Sequence, residues 1–114
     1  SGAEIILHVA AWPHPRMEQL KILSRARAIE NQCYLVCVNQ AGTECFGANS
    51  VKYGGSSAII NPLGVPVCEC AADVEDFQIA EIDLSLVEKA RGRMPIKKDR
   101  RPESYKSLKI FKNE

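Results

Sequence analysis

The sequence lacks several features that would place it in a class at once. No apolar run approaches the roughly 18 residues of a membrane-spanning helix, and no Ser-, Pro- or Gln-rich tract indicates wholesale disorder. There is no Asn-x-Ser/Thr acceptor for glycosylation and no Cys-x-x-Cys pair. The chain begins Ser1-Gly2-Ala3 without a basic, apolar leader, so we expect no secretory signal. With 114 residues, 46% of them hydrophobic, we expect one soluble domain with one modest core.

The charge is unevenly distributed along the chain. Residues 1–88 contain five Lys/Arg and eleven Asp/Glu, a balance of −6, whereas residues 89–114 contain ten Lys/Arg and three Asp/Glu, a balance of +7. The pattern predicts a domain over residues 1–94 and a basic C-terminal arm over residues 95–114. Nucleic-acid binding through this arm is the weaker interpretation, because it has few interleaved aromatic residues and the rest of the chain is acidic.

The cysteines indicate a reducing environment. There are five, Cys33, Cys37, Cys45, Cys68 and Cys70, and an odd number cannot pair completely within one chain. Most lie in apolar runs, where a free thiol behaves as a small hydrophobic group. We therefore expect a cytoplasmic protein. A zinc site is not expected, because Cys33 and Cys37 would lie about 13 Å apart along a strand.

No complete catalytic set is visible within the chain. Cys45 has only Glu44 beside it, and a carboxylate raises the pKa of a thiol. His8 is expected within a strand, and His14 in a Pro-rich loop that is more typical of a solvated side chain than of a catalytic one. The Gly54-Gly55-Ser56-Ser57 run lacks the spacing of a phosphate-binding loop.

The hydrophobic pattern predicts an α/β fold with the order β-α-β-β-β-β-α-tail. The expected strands are residues 4–11, 33–38, 56–60, 65–70 and 77–82, and the expected helices are residues 16–31 and 84–91. A polar loop is expected up to about Tyr53. The long helix has two apolar arcs, one with Leu20 and one with Ile22, so we expect it to pack on its own sheet and on a partner chain.

An ordered series of motifs resembles a known enzyme family. The motifs are Gly2-Ala3-Glu4-Ile5-Ile6, Ala10-Ala11-Trp12-Pro13, residues 25–32 (RARAIENQ), residues 38–42 (VNQAG), residues 54–64 (GGSSAIINPLG), residues 80–84 (AEIDL) and residues 100–105 (RRPESY). Over about residues 2–105 the chain resembles the C-terminal part of nitrilase-superfamily carbon–nitrogen hydrolases, most of all the amidase and carbamoylase branches. The resemblance implies part of an αββα sandwich with a mixed sheet.

The resemblance also implies a chemistry that this chain does not carry by itself. In the family a Glu acts as base, a Lys stabilises the oxyanion and a Cys attacks the amide or nitrile carbon, with no metal or organic cofactor. These three groups have no counterpart here, and no cysteine of this chain matches the nucleophile. We therefore expect the parent to hydrolyse non-peptide carbon–nitrogen bonds and the chain alone to be inactive. The alternative is a non-catalytic assembly or binding module on the same scaffold.

The residues that the resemblance brings forward are few. Ala11, Trp12 and Asn39 are expected to line or support the substrate pocket, and Arg27, Glu30 and Asn31 to form a supporting hydrogen-bond network on the long helix. The implied partners are an amide-like small molecule and the other half of the same domain, expected to be the N-terminal half. A second copy is expected to pack against the helix at residues 16–31 and the C-terminal arm.

Overall fold

The structure is a computed structural model that describes residues 2–106, with side chains to residue 104. Residues 107–114, the last part of the expected basic arm, lie outside the described residues. None of the described helices is long and apolar enough to cross a membrane. The elements along the chain are β1 (Ile5–Ala10), α1 (Met17–Asn31), β2 (Tyr34–Asn39), β3 (Ala41–Phe46), β4 (Asn49–Gly54), β5 (Ala58–Ile60), β6 (Pro66–Glu69), α2 (Ser85–Arg93), α3 (Ile96–Asp99) and α4 (Pro102–Lys106).

A four-stranded mixed sheet organises the described residues. Its strand order is β1-β2-β5-β6, with β1 and β2 parallel and the other two pairs antiparallel. The parallel pair requires a crossover connection, which α1 provides. Because the pairing register joins Ala10 to Asn39, both parallel strands end at the same edge of the sheet. The α/β fold class and the mixed sheet are thus confirmed.

One face of this sheet and the inner face of α1 form the core. Leu20, Ala28, Leu35, Cys37 and Ile60 are buried together there. Leu20 is only 2% exposed, so it belongs to the arc of α1 that packs on its own sheet. Burial of a leucine of this kind typically contributes about 1.5–3 kcal/mol relative to its exposure to water.

The outer arc of α1 is uncovered in this structure. Ile22, Leu23 and Ile29 are all exposed. The expected packing of α1 on its own sheet is therefore confirmed, whereas its expected packing on a partner chain remains a prediction. Further toward the C-terminal end of α1, Arg25 Nε donates to Gly64 O at 2.8 Å, which attaches the helix to the turn between β5 and β6.

The region expected to be a loop up to Tyr53 is a β-hairpin instead. Strands β3 and β4 pair antiparallel from Ala41 opposite Gly54 to Phe46 opposite Asn49. The prediction of a loop was wrong because the polar composition of these residues is that of a surface loop. Their exposed positions leave cross-strand hydrogen bonds, rather than burial, to hold the hairpin.

The strand expected at residues 77–82 is not formed. The segment is neither strand nor helix, although its mostly apolar sequence favours a strand. The following helix, α2, is present and is attached to the body by Gln32, whose Nε2 donates to Ala90 O at 3.0 Å and Met94 O at 2.7 Å. Gln32 has a left-handed backbone, with φ of 49°, at the end of α1.

Candidate functional site at the carboxyl ends of the parallel strands

The candidate site lies where β1 and β2 end together. In open α/β sheets, ligands bind in the crevice beyond the carboxyl ends of parallel strands. Trp12 follows β1 here, and Asn39 is the last residue of β2. The hairpin β3–β4 returns to the same edge, since Gly54 N donates to Trp12 O at 3.3 Å and Gly55 N donates to Gln40 O at 2.9 Å.

The Asn39 amide joins these three segments. Its Oδ1 accepts a hydrogen bond from Trp12 N at 2.7 Å, and its Nδ2 donates to Gly55 O at 3.0 Å. The orientation of the amide follows from its partners, because a backbone N–H can only donate and a carbonyl can only accept. Asn39 is buried, so its amide acts to position Trp12 and Gly55 rather than to face open solvent.

The backbone next to Asn39 has an unusual conformation. Gly55 and Ser56 have φ values of 58° and 54°, both in the left-handed region. Glycine adopts this region without strain, whereas serine does so at a cost of the order of 1 kcal/mol. Ser57 attaches this part of the backbone to the end of β2, because its Oγ accepts a hydrogen bond from Asn39 N at 3.0 Å and donates one to Asn39 O at 3.3 Å. Left-handed non-glycine residues of this kind are concentrated at functional sites.

A polar recess of about 320 Å³ opens beside these residues. It is lined by Asn39, Gly55, Ser57, Cys70 and Asp76, among others. Backbone hydrogen bonds from Ala71 and then Phe77 hold the pKa of the Asp76 carboxyl below its usual value, so this group is an anion at neutral pH. The recess is therefore acidic and rich in hydrogen-bonding groups.

A small charged cluster lies on the hairpin side of the same edge. Lys52 Nζ is 3.0 Å from Asp73 Oδ2, and His14 Nε2 is 3.5 Å from Asp73 Oδ1. Asp73 N donates to Gly54 O at 3.0 Å, so the cluster is attached to the end of β4. His14, expected to be a solvated loop residue, is indeed exposed; it lies in the 3₁₀ turn before α1, with the Asp73 carboxylate beside it.

Three of the five cysteines are not activated as nucleophiles. All five are free. Burial raises the pKa of the Cys33 and Cys37 thiols, and partial desolvation followed by the charge of Asp76 raises that of Cys70. Thiols with raised pKa values are protonated at neutral pH and are weak nucleophiles. Cys45 is exposed on β3, and among the described residues no group of three or more His, Cys, Asp and Glu side chains is placed to hold a metal ion.

The other residues brought forward by the resemblance fall into two groups, one directly after β1 and one on α1. Ala11 is exposed directly after β1, and Trp12 is half-buried against the core. Arg27 Nη1 is 2.9 Å from Glu30 Oε1, and Asn31 Nδ2 donates to Arg27 O at 2.9 Å. These three residues do form one network, but it lies on the exposed surface of α1, and its supporting role remains a prediction.

Sequence reasoning missed part of the site. Ser56, Ser57 and Asp76 were not brought forward, although they adjoin Asn39 or the recess. The available signal was the Gly54-Gly55-Ser56-Ser57 run, which predicts an irregular backbone entrance to a strand. Nothing local to these residues indicates that Asn39, 15 positions earlier, lies against them.

Comparison with known proteins identifies the family. The family model described as "Carbon-nitrogen hydrolase" matches residues 1–92. The chain belongs to this family. The expected superfamily is therefore correct, and the reported motifs at residues 2–84 lie within the matched range.

Individual relatives agree with this assignment. The chain is 37% identical over 105 residues to the 2-oxoglutaramate amidase of Bacillus subtilis, covering 91% of this chain and 38% of that protein. It is 34% identical over 106 residues to a protein named "Hydrolase in agr operon" in Staphylococcus lugdunensis, covering 93% and 43%. The chain thus spans less than half the length of these relatives.

Solved structures show the same fold. A carbon-nitrogen hydrolase from Helicobacter pylori G27 is similar with a TM-score of 0.81 and 27% identity, over 94% of this chain and 41% of that one. The NitFhit protein of Caenorhabditis elegans is similar with a TM-score of 0.79 and 35% identity, over 91% and 24%. The chain therefore has the fold of a portion of these αββα proteins.

The family match also corrects one expectation. The motifs suggested the C-terminal part of such a hydrolase. The matched segment is instead residues 1–92, the N-terminal part of this chain, and the basic arm lies outside it. The assignment to a C-terminal part is therefore replaced by family membership over residues 1–92.

Proposed function

We propose that this chain supplies the scaffold and one wall of the pocket of a hydrolase domain that cleaves non-peptide carbon–nitrogen bonds in amides, ureido compounds or nitriles. The observation that carries the proposal is the buried Asn39 amide, which holds Trp12 and Gly55 at the carboxyl ends of two parallel strands in a chain of the carbon–nitrogen hydrolase family.

The chemistry of the proposal is a thiol mechanism. A Glu takes the proton of a Cys, the thiolate attacks the substrate carbon, and a Lys stabilises the oxyanion that forms on an amide. The Glu passes this proton to the nitrogen, which leaves an amide or ureido substrate as an amine or ammonia. A nitrile first gives an imidoyl-enzyme, and the addition of water then releases its nitrogen as ammonia. Water finally hydrolyses the acyl-enzyme and restores the thiol. In this proposal the three groups belong to the part of the domain that the chain does not contain, and no metal or organic cofactor takes part.

The residues of this chain would shape and rigidify the pocket. The Asn39 amide fixes the backbone of Trp12, a half-buried residue that packs against the core. Preorganisation of this kind matters because a displacement of about 1 Å can cost 100-fold in rate. Ala11 is exposed beside Trp12, and its small side chain would leave room for an acyl group.

A second function is a non-catalytic assembly or binding module. The observation in its favour is that burial or nearby carboxylates raise the pKa of the Cys33, Cys37 and Cys70 thiols, which makes these three weak nucleophiles at neutral pH. Such a module would keep the scaffold and bind a ligand or partner without bond cleavage.

We also propose a second copy of the chain as partner and the reducing cytoplasm as compartment. The exposed residues Ile22, Leu23 and Ile29 on α1 form a continuous apolar arc that a second helix would cover. The basic residues of α2 and α3 complement the acidic body of the other copy. The five free cysteines support the compartment.

Hydrolysis by the full-length protein that contains this chain tests the proposed function. Ammonia release is measured with an ω-amide, an N-carbamoyl amino acid and an aliphatic nitrile. The proposal expects release from at least one of them, a fall of at least about 10-fold in kcat/KM for Asn39→Ala, and no change beyond about twofold for the exposed control Asn49→Ala. A folded full-length protein that releases ammonia from none of the three contradicts the proposal and favours the binding module.

A further inference from the structure

A small cavity lies between α1 and the strands β5 and β6, on the face of the sheet that α1 covers. Its volume is about 80 Å³. Its walls include the buried core residues Leu20, Cys37 and Ile60, together with the half-buried Ala58. A buried water molecule needs about two to four polar partners. Because these walls are apolar, the cavity is better suited to a hydrocarbon group than to a cluster of water molecules.

One polar group is buried in this cavity without a conventional partner. Ser24, on the inner face of α1, is 4% exposed, and among the described residues its Oγ has no nitrogen or oxygen partner for a hydrogen bond. Burial raises the pKa of the Cys37 thiol, and the Ser24 hydroxyl beside it lowers that pKa in part. A thiol is only a weak hydrogen-bonding group, so the hydroxyl keeps most of its capacity to donate and to accept. A buried hydroxyl in this state is costly unless another molecule pairs with it.

The charged groups at the mouth of the cavity already have partners. Lys21 of α1 and Glu69 of β6 form an ion pair, with Nζ 2.5 Å from Oε1. Arg25 Nε donates to Gly64 O at 2.8 Å. A charged ligand would have to separate the ion pair or bury its own charge between apolar walls, and burial of an unpaired charge is costly. The polar group of a ligand that reaches Ser24 is therefore expected to be uncharged.

The volume of the cavity sets the size of its ligand. An engineered apolar cavity of about 150 Å³ binds benzene, which has six heavy atoms. By proportion, a cavity of about 80 Å³ holds about three or four heavy atoms. One of these atoms belongs to the polar group that pairs with Ser24, which leaves a chain of two or three carbons.

We propose that this cavity binds a short-chain alcohol, an uncharged molecule of two or three carbons whose hydroxyl group forms a hydrogen bond with Ser24 Oγ. Binding here does not depend on the proposed function, because no bond is broken. Ser56 lines both this cavity and the recess beside Asn39. A bound alcohol would therefore contact a residue that also borders the candidate functional site.

The methyl groups inside the cavity report directly on binding. The full-length protein that contains this chain is labelled with carbon-13 at its leucine and isoleucine methyl groups and titrated with 1-propanol. The Leu20 and Ile60 signals should shift to saturation, whereas the signals of the exposed Leu63 should not move. A ligand of four heavy atoms is expected to bind with a Kd of the order of 1 mM. Leu20 and Ile60 signals that do not saturate by about 50 mM would overturn the proposal.

A matched pair of serine variants tests the hydrogen bond. Ser24→Ala removes the hydroxyl group and should raise the Kd for 1-propanol about 5-fold. Ser50→Ala, at an exposed serine of β4, should change the Kd by less than about twofold. Equal affinity of Ser24→Ala and the unsubstituted protein would contradict the role of Ser24 and overturn the proposal.

A filled cavity and a charged ligand test the position and the chemistry of the site. Ala58→Val narrows the cavity in a strand that accepts valine, and it should abolish the shifts of the Leu20 and Ile60 signals. An unchanged Kd in the folded variant would place the ligand elsewhere. If Ala58→Val does not fold, the two serine variants decide. Propionate, which has the same number of carbons as 1-propanol, should bind at least about 10-fold more weakly. Equal or tighter binding of propionate would assign the cavity to anions and overturn the proposal.

Discussion

The two faces of the four-stranded sheet have similar composition and opposite environments. On the face covered by α1, Leu35 and Ile60 are 2% and 3% exposed. On the opposite face, Leu7 and Val9 of the neighbouring strand are 75% and 84% exposed. The sequence of β1, Ile5-Ile6-Leu7-His8-Val9-Ala10, is that of a strand buried on both faces, but this structure covers one of them.

This difference shows that the apolar residues of a strand match the surfaces that are buried in the complete domain, not only those that are buried in the isolated chain. Apolar residues on a face that remained in water would add nothing to stability and would promote aggregation. The uncovered face and the unpaired segment at residues 77–82 share this property, and they share a groove. Both are therefore expected to be internal surfaces of a larger domain.

The largest effect is expected at the core side of α1. Leu20→Asp should lower the free energy of unfolding of the chain by about 4 kcal/mol or more, because it places a carboxylate in the buried core. Leu23→Asp, one turn further on the exposed arc, should leave the fold intact and reduce the mass measured by light scattering if a second copy covers that arc. Urea denaturation of both variants gives the comparison, and equal destabilisation would contradict the assignment of the two arcs.

Substitutions on the two sheet faces are expected to change the free energy of unfolding by smaller and unequal amounts. Leu35→Ala should lower the free energy of unfolding of the isolated chain by about 2–5 kcal/mol through loss of burial and formation of a cavity. Leu7→Ala on the opposite face should change it by less than about 0.5 kcal/mol. Urea denaturation measures both, and a large loss for Leu7→Ala would show that the second face is already covered in the isolated chain.

Asn39→Ala should have an intermediate effect of about 2–3 kcal/mol. The substitution leaves Trp12 N–H and Gly55 C=O without their partner in a buried region, and each such group costs about 1–3 kcal/mol. Part of this cost is expected to be recovered if water enters the space left by the amide. Thermal unfolding followed by circular dichroism should show a lower Tm, whereas the exposed control Asn49→Ala should not change it.

The smallest expected effect is on the stability of the protein at acidic pH. Backbone hydrogen bonds from Ala71 and Phe77 hold the pKa of Asp76 below its ordinary value of 3.8. The stability that this carboxylate contributes is therefore present above pH 3.8 and is lost as the pH falls through the lower folded pKa. Asp76→Asn should reduce the dependence of the urea midpoint on pH below 4, and an unchanged pH profile would contradict the assignment.

The sequence was sufficient to predict those elements whose own residues determine their environment. The helix α1 and the strands β1, β2, β5 and β6 follow from apolar runs between clear Pro and Gly signals, and the structure places them within about two residues of expectation. The family resemblance was found from the order of short motifs, and it is confirmed over residues 1–92.

The remaining features depend on partners that local sequence does not specify. The β3–β4 hairpin is polar and exposed, so its strands carry no hydrophobic alternation to reveal them. The segment at residues 77–82 is mostly apolar, but it has no neighbouring strand within the described residues. The role of Asn39 depends on Gly55, 16 residues away, which is close only after the hairpin has formed.

The most direct test of the account is the cost of Leu7→Ala in the full-length protein that contains this chain. If the uncovered face is an internal surface of a larger hydrolase domain, the substitution should lower the free energy of unfolding by about 2–5 kcal/mol there, as Leu35→Ala does on the other face. A change below about 0.5 kcal/mol in the full-length protein, measured by urea denaturation, would show that the face remains in water and would contradict the account.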